Sequence, residues 1–260
     1  MIKTFDKMDA VADFLEKEIS CKPKDVLCCF DIDDTIVVID HPAALSINYK
    51  KYKSHFDIMK SKFPDFELAC LPLICENKTI LFDDTFCESF NKMPYRKIAL
   101  TAAMTGEFDT IKRIEVFRYE RLKEHNIIFD DPLFADKDII LDNLPSYMGY
   151  YPVCYKGVLC SNGENTTTNK GSALCGLLKK INFTPEYVIQ IDDKQLNLDF
   201  INEELSKQFP NIKFIGILYT GAENYCPEWN CEISEEVFVR YWEKFYHKGY
   251  SDRNKYVKDL

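Results

Sequence analysis

Several things are scarce in this chain. Basic residues fall short: 33 Lys plus Arg stand against 42 Asp plus Glu, a net charge of −9. That sign opposes unaided binding to a phosphate backbone or an anionic membrane, so nucleic acid is not an expected partner. No stretch approaches ~18 uninterrupted apolar residues, and the opening MIKTFDKMDAVADFLEKEI has no apolar core before a small-residue cleavage site. The expectation is no membrane insertion and a cytoplasmic protein. The four histidines (His41, His55, His125, His247) have no metal-binding spacing and no serine elbow to serve, which argues against a histidine-based hydrolase. The eleven cysteines are an odd number, several of them inside apolar runs (Cys28, Cys29, Cys160, Cys175), and imply no disulfide framework. Cys70 with Cys75 and Cys226 with Cys231 lack the second matching pair a zinc knuckle needs. Repeats and low-complexity tracts are missing too.

What is present is a globular composition, 46% hydrophobic and 29% charged, in short apolar runs alternating with helical periods. Val26 to Phe30, Lys97 to Thr101, Gly157 to Cys160, Tyr187 to Ile191 and Lys213 to Leu218 read as buried strands. Helices are expected from Met8 to Ile19 behind a possible cap at Asp6, and near 109–125, 171–181 and 195–208. This order predicts an α/β fold, a Rossmann-like parallel sheet wound by right-handed crossovers with helices on both faces. The sixty-one residues between Thr35 and Lys97 exceed what a crossover needs, since roughly 30 complete a whole βαβ unit. A small cap at 37–93 is therefore expected after the first core strand, leaving 1–36 and 94–260 as the core. Ile47 to Phe63 should be helical there, with breaks at Pro64 and Pro72. A lesser excursion, about 130–156, suggests irregular structure or a hairpin, and Val237 to Phe245 one face of a packed helix.

In a parallel sheet the ligand crevice lies beyond the carboxyl ends of the strands. The first run is followed by Asp31, Ile32, Asp33, Asp34 and Thr35; the second ends in Thr101; the third leads to Lys170; the fourth ends in Asp192 and Asp193. Asp31 and Asp33, two apart in extended chain, can address one bound group. One carboxylate can attack phosphorus while the other protonates the leaving oxygen and then deprotonates the hydrolytic water. Four acids beside a phosphate dianion require a divalent cation, and hard oxygen ligands indicate Mg2+. Thr101 and Lys170 can bind the phosphate oxygens. Two other acidic pairs, Asp83-Asp84 and Asp130-Asp131, read as turn or cap residues. Tyr49, Tyr52 and Phe56 read as packing, and His41 as the residue nearest the pocket mouth.

These residues resemble the haloacid dehalogenase-like hydrolase superfamily in its phosphatase branch, closest to uncharacterised bacterial members. Its four signatures correspond to Asp31-Ile32-Asp33-Asp34-Thr35, the strand ending at Thr101, Lys170 within NKG, and Asp192-Asp193 with Asn197 downstream. The resemblance implies Asp31 as nucleophile and Asp33 as acid/base. It also implies Asp31, the Asp33 backbone carbonyl and Asp192 as magnesium ligands, with Thr35, Asp193 and Asn197 in support. Ala103 stands where many relatives continue Thr-x-Arg, which removes a basic contact to substrate. The expected activity is magnesium-dependent hydrolysis of a phosphomonoester, on a small molecule or a phosphopeptide, through an aspartyl phosphate. The alternatives are a phosphotransferase or phosphomutase using the same pocket, a phosphoprotein (phosphotyrosine) phosphatase delivered to another cell, and a non-catalytic phosphate-binding scaffold.

Overall fold

The computed structural model describes the backbone of residues 1–62, 67–134, 138–163, 168–227 and 231–256, and the side chains of these outside 62–71 and 248–256. In chain order the elements are β1 (Ile2–Phe5), α1 (Met8–Glu18), β2 (Val26–Phe30), β3 (Val37–Ile39), α2 (Ser46–Lys51), α3 (Lys53–Lys62), α4 (Glu67–Glu76), β4 (Thr79–Leu81) and α5 (Phe86–Lys92). They continue with β5 (Arg96–Thr101), α6 (Ile114–Glu124), β6 (Asp138–Ile140), β7 (Val153–Tyr155), β8 (Val158–Cys160), α7 (Lys170–Lys180), β9 (Tyr187–Asp192), α8 (Gln195–Gln208), β10 (Lys213–Tyr219) and α9 (Glu235–Tyr256).

Eight strands form one sheet in the order β1-β10-β9-β2-β5-β8-β7-β6, and β3 pairs with β4 in a separate antiparallel ribbon. From β1 to β8 every neighbouring pair is parallel; only the β6, β7 and β8 pairings are antiparallel. Strand alternation explains why the central strands read as unbroken apolar runs. In β2, Val26, Cys28 and Phe30 enter one core cluster with residues of α1, α5 and α6, while Leu27 and Cys29 enter the other with α7 and α8. The fold is thus α/β with helices on both faces of a mostly parallel sheet.

The chain runs outward from β2 through β5 to β8, then returns to the other side of β2 for β9 and β10. The reversal makes the carboxyl ends of β2 and β9 the natural crevice, because loops from opposite crossover directions part there.

Elsewhere the structure corrects the sequence reading. Helix α1 begins behind Lys7 rather than Asp6, and its Met8 N–H donates to Asp83 Oδ2 at 2.7 Å. Pro72, expected as a break, lies inside α4; its neighbour Leu73 packs beneath Phe56 and α9, and that burial outweighs the one backbone bond a proline forfeits. Pro64 and Phe63 lie outside the described residues. Cys226 and Cys231 form a disulfide, so one local bridge exists where none was implied, and this pair is no zinc ligand set. The Cys70 side chain lies outside the described set. The 130–156 excursion contains the β6-β7 hairpin that widens the sheet edge.

Within 37–93, the helices pack away from the sheet until α5, whose Phe86 and Phe90 contact Phe30. A third cluster, Ala43, Phe56, Met59 and Leu73 against Phe238, Trp242, Phe245 and Tyr246, joins this segment to α9. Phe56 meets Trp242 edge-on at 4.9 Å, the Trp242 indole N–H donates to Ala43 O at 2.9 Å, and Tyr52 donates to Ile233 O at 2.6 Å. His41, expected near the pocket mouth, stacks on Tyr241 at 3.9 Å and its Nδ1 accepts from Ala43 N–H at 3.2 Å; the flat ring is used for packing α9.

Candidate active site

Asp31 directly follows β2, its N–H donating to Ile191 O at 2.8 Å, which ties the carboxyl ends of β2 and β9 together. The loop then turns sharply. Asp34 has φ of 59°, a left-handed conformation that aspartate tolerates better than most residues, and its N–H donates to Val37 O at 2.8 Å. The Ile36 and Val37 N–H groups both return to Ile32 O, so Ile32 points into the core while Asp31 and Asp33 face the crevice side.

Lys170 is the first residue of α7, behind an Asn169–Ser172 capping box that fixes where the helix starts. Its side chain, 1% exposed, reaches Asp31 Oδ1 and Asp192 Oδ2, each at 2.7 Å. The sequence places a cation at a helix N-terminus, where the macrodipole disfavours it; two buried carboxylates offset that. Asp192 is held on every side: Gln190 Nε2 donates to it at 3.1 Å, Lys194 N–H at 3.1 Å and Asn197 Nδ2 at 2.9 Å. Gly171 permits the arrangement, since a Cβ there would stand 2.5 Å from the Phe200 carbonyl oxygen of α8.

Asp31, Asp192 and Asp193 each offer an oxygen within 4.8 Å of the others. Burial pushes the Asp31 carboxyl well above the usual range; Lys170 pulls it back, while Asp192, Asp193 and Asp33 push it further up. Burial, followed by repulsion from Asp192 and Asp34, takes Asp193 up to about 8, and burial with Asp33 takes Asp34 up to about 7 although Ser46 of α2 donates to it. The buried Asp193 Oδ1 has no hydrogen-bond partner among the described residues. One ammonium does not balance this much negative charge.

Asp31, Lys170, Asp192, Asp193 and Asn197 thus come together directly. Asp33 is held differently: its Oδ2 accepts from Arg118 Nη2 at 2.7 Å. Thr101, 2% exposed, ends β5 beside β2, and its Oγ1 accepts from Ala103 N–H at 3.2 Å, leaving the hydroxyl proton available to a ligand. Thr35 is fully buried, and its hydroxyl oxygen has no partner among the described residues. Arg118 is the residue sequence reasoning missed. It lies between Ile114 and Leu122 on the buried stripe of α6, and a charge on an apolar stripe was the available signal. Of the other acidic pairs, Asp83 accepts from Met8 N–H, Thr85 and Tyr219, and Asp131 holds Arg96 through both oxygens at 2.6 and 2.7 Å.

Among the described residues no helix is long and apolar enough to cross a membrane. No solved structure matches the chain. It is similar to an uncharacterized protein of Rickettsia bellii (strain RML369-C), 24% identical over 221 residues that cover 85% of this chain and 66% of the relative. A second, from Rickettsia felis, is 26% identical over 218 residues, covering 84% and 64%. A third, from Rickettsia conorii, is 33% identical over 134 residues, covering 51% and 43%. The chain therefore spans less than two thirds of the length of these relatives. A family model described as "Protein of unknown function (DUF2608)" matches residues 4–247, nearly the whole length, and the chain belongs to that family.

Proposed function

We propose that the protein is a magnesium-dependent phosphatase that hydrolyses a phosphomonoester through an aspartyl phosphate on Asp31. The observation that carries this reading is the Lys170 ammonium shared between Asp31 and Asp192 at a strand-order reversal, with Asp193 in the same cluster. The likeness to haloacid dehalogenase-like hydrolases, drawn from motif order, belongs to the same proposal.

The donor set fits a hard divalent cation. Three carboxylates converge, two of them pushed up by burial and mutual repulsion, and one buried oxygen has no partner among the described residues. Asp31, Asp192 and Asp193, with the Asp33 backbone carbonyl, would hold it. Bound there, the cation supplies positive charge that lets a phosphate dianion approach the acids.

Asp31 attacks phosphorus, and the bond to the leaving oxygen breaks as the new acyl phosphate forms. Asp33 gives its proton to that oxygen, then takes one from the water that releases phosphate and regenerates Asp31. Lys170 and Thr101 donate to the non-bridging oxygens as charge spreads over them. Lys170 also fixes the Asp31 rotamer, so the nucleophile is aligned before substrate arrives. The substrate is a phosphorylated small molecule or peptide. The proposed compartment is the cytoplasm, in keeping with the buried free thiols of Cys28, Cys29, Cys154, Cys160 and Cys175.

The test is phosphate release from 4-nitrophenyl phosphate with Mg2+, wild type against Asp31→Asn. Turnover by the wild type that chelation abolishes, and a fall of about a thousandfold or more in the variant, is expected. Equal rates in the two proteins would overturn the assignment.

A further inference from the structure

Arg118 is costly where it stands. Ile114, Arg118 and Leu122 share one face of α6, and the side chain is 2% exposed, so a guanidinium occupies a place where leucine or methionine would pack. Taking such an ion from water costs several kcal/mol, which an ion pair offsets only when its hydrogen bonding is complete. Here it is incomplete. Nη2 donates to Asp33 Oδ2 at 2.7 Å, while the buried Nε has no hydrogen-bond partner among the described residues. The other buried charge on the helix, Glu115, is committed elsewhere, accepting from Gly106 N–H at 3.0 Å and from Arg113 Nε at 2.7 Å. A pair this one-sided is poorly explained by stability.

Its partner has the opposite problem. The Asp33 side chain is 41% exposed, two residues beyond Asp31 in a loop outside regular structure. An aspartate there samples several rotamers unless something holds it, and proton transfer to a leaving group tolerates little displacement. Arg118 rises from the core and grips one oxygen, leaving the other for substrate. It is also close enough to Asp31 for the two to interact electrostatically, so the grip is applied at the reaction centre.

We infer that Arg118 is a positioning residue: from the buried face of α6 it holds the Asp33 carboxyl group by Oδ2, at the angle from which the other oxygen delivers its proton to the leaving-group oxygen. This rests on the phosphatase reading above. The loss of a basic residue at Ala103 is not made good by Arg118, whose guanidinium is engaged with the protein's own acid.

The experiment compares two leaving groups. 4-Nitrophenolate departs without a proton; the alkoxide of glycerol 3-phosphate needs one. The ratio kcat/KM reports steps up to phosphoryl transfer, so a residue acting through Asp33 affects the two substrates unequally. With saturating Mg2+, Arg118→Met is expected to lower kcat/KM about 10- to 100-fold on the alkyl ester and less than about threefold on the aryl ester. Arg118→Lys should restore part of the alkyl activity, and adding Arg118→Met to Asp33→Asn should cost no more than about twofold further. Equal losses on both esters, or a full additional loss in the Asp33→Asn background, would overturn the inference and make Arg118 a direct phosphate contact or a structural residue. Urea unfolding of wild type, both single variants and the double variant reads the pair without activity. Coupled midpoints show that Arg118 grips Asp33 in solution and additive midpoints sink the inference, whereas a wild type that turned over neither ester would overturn the phosphatase reading, and the positioning role with it, while leaving the pair itself intact.

Discussion

Stripped of divalent cations, the protein should be more stable in mild acid than at pH 8. Burial and repulsion take Asp193 from an ordinary 3.8 up to about 8 and Asp34 up to about 7. Both are raised acids, so between these values and the unfolded range the folded state keeps protons that the unfolded chain releases. Stability is then complete below the unfolded pKa and is lost as pH rises through the folded one. Each unit is worth ~1.4 kcal/mol, which bounds Asp193 alone at roughly 6 kcal/mol. The two acids repel each other and share the effect, and both keep some exposure, so about 3 kcal/mol across pH 5 to 8 is the expected size. With a urea slope of roughly 3 kcal/mol per molar, the midpoint should fall by about 1 M. The assay is urea unfolding at half-unit pH steps with a chelator, then with millimolar Mg2+. The cation should flatten the slope, because it supplies the charge that the protons otherwise provide. A flat profile with chelator, or the same slope in both series, would refute the electrostatic reading of the cluster.

Asp83 should behave in the opposite sense. Burial opposes its ionisation, but donation from Tyr219, Thr85 and Met8 N–H holds its carboxyl below the usual range. Asp83→Ala strands those donors and is expected to cost about 3 kcal/mol in urea unfolding at pH 7. The deficit should shrink only as pH falls through the depressed pKa, where the wild type loses the same contribution. Gly171→Ala should lower stability by at least ~2 kcal/mol, since its Cβ would meet the Phe200 carbonyl at 2.5 Å. If α7 shifts to relieve that contact Lys170 moves with it, so phosphate release should fall too; unchanged stability and rate would show that α7 and α8 separate freely.

The central strands were legible because being covered on both faces demands continuous apolar runs, and the acids were legible because each directly follows such a run. β1 was not. Its four residues lie on the sheet edge and three are exposed, so no hydrophobic pattern announces it. The start of α7 was read one residue late, because a lysine at a helix N-terminus looks unfavourable until the carboxylates facing it are known. Pro72 misled for a related reason: a local penalty was outweighed by packing on α9, a partner more than 160 residues away in sequence. Arg118 was hidden by its type, since arginine on a helix is ordinarily solvated, and only its apolar neighbours at 114 and 122 marked the face as buried. The Cys226–Cys231 bridge depends on loop geometry that spacing alone leaves open.

The seat that Phe56, Met59 and Leu73 offer to Phe238, Trp242 and Phe245 has a temporal meaning. A ribosome delivers one half of that aromatic cluster well over a hundred residues before the other. Through most of synthesis the early helices carry an uncovered oily face, and the region can close only after residue 245 has cleared the exit tunnel.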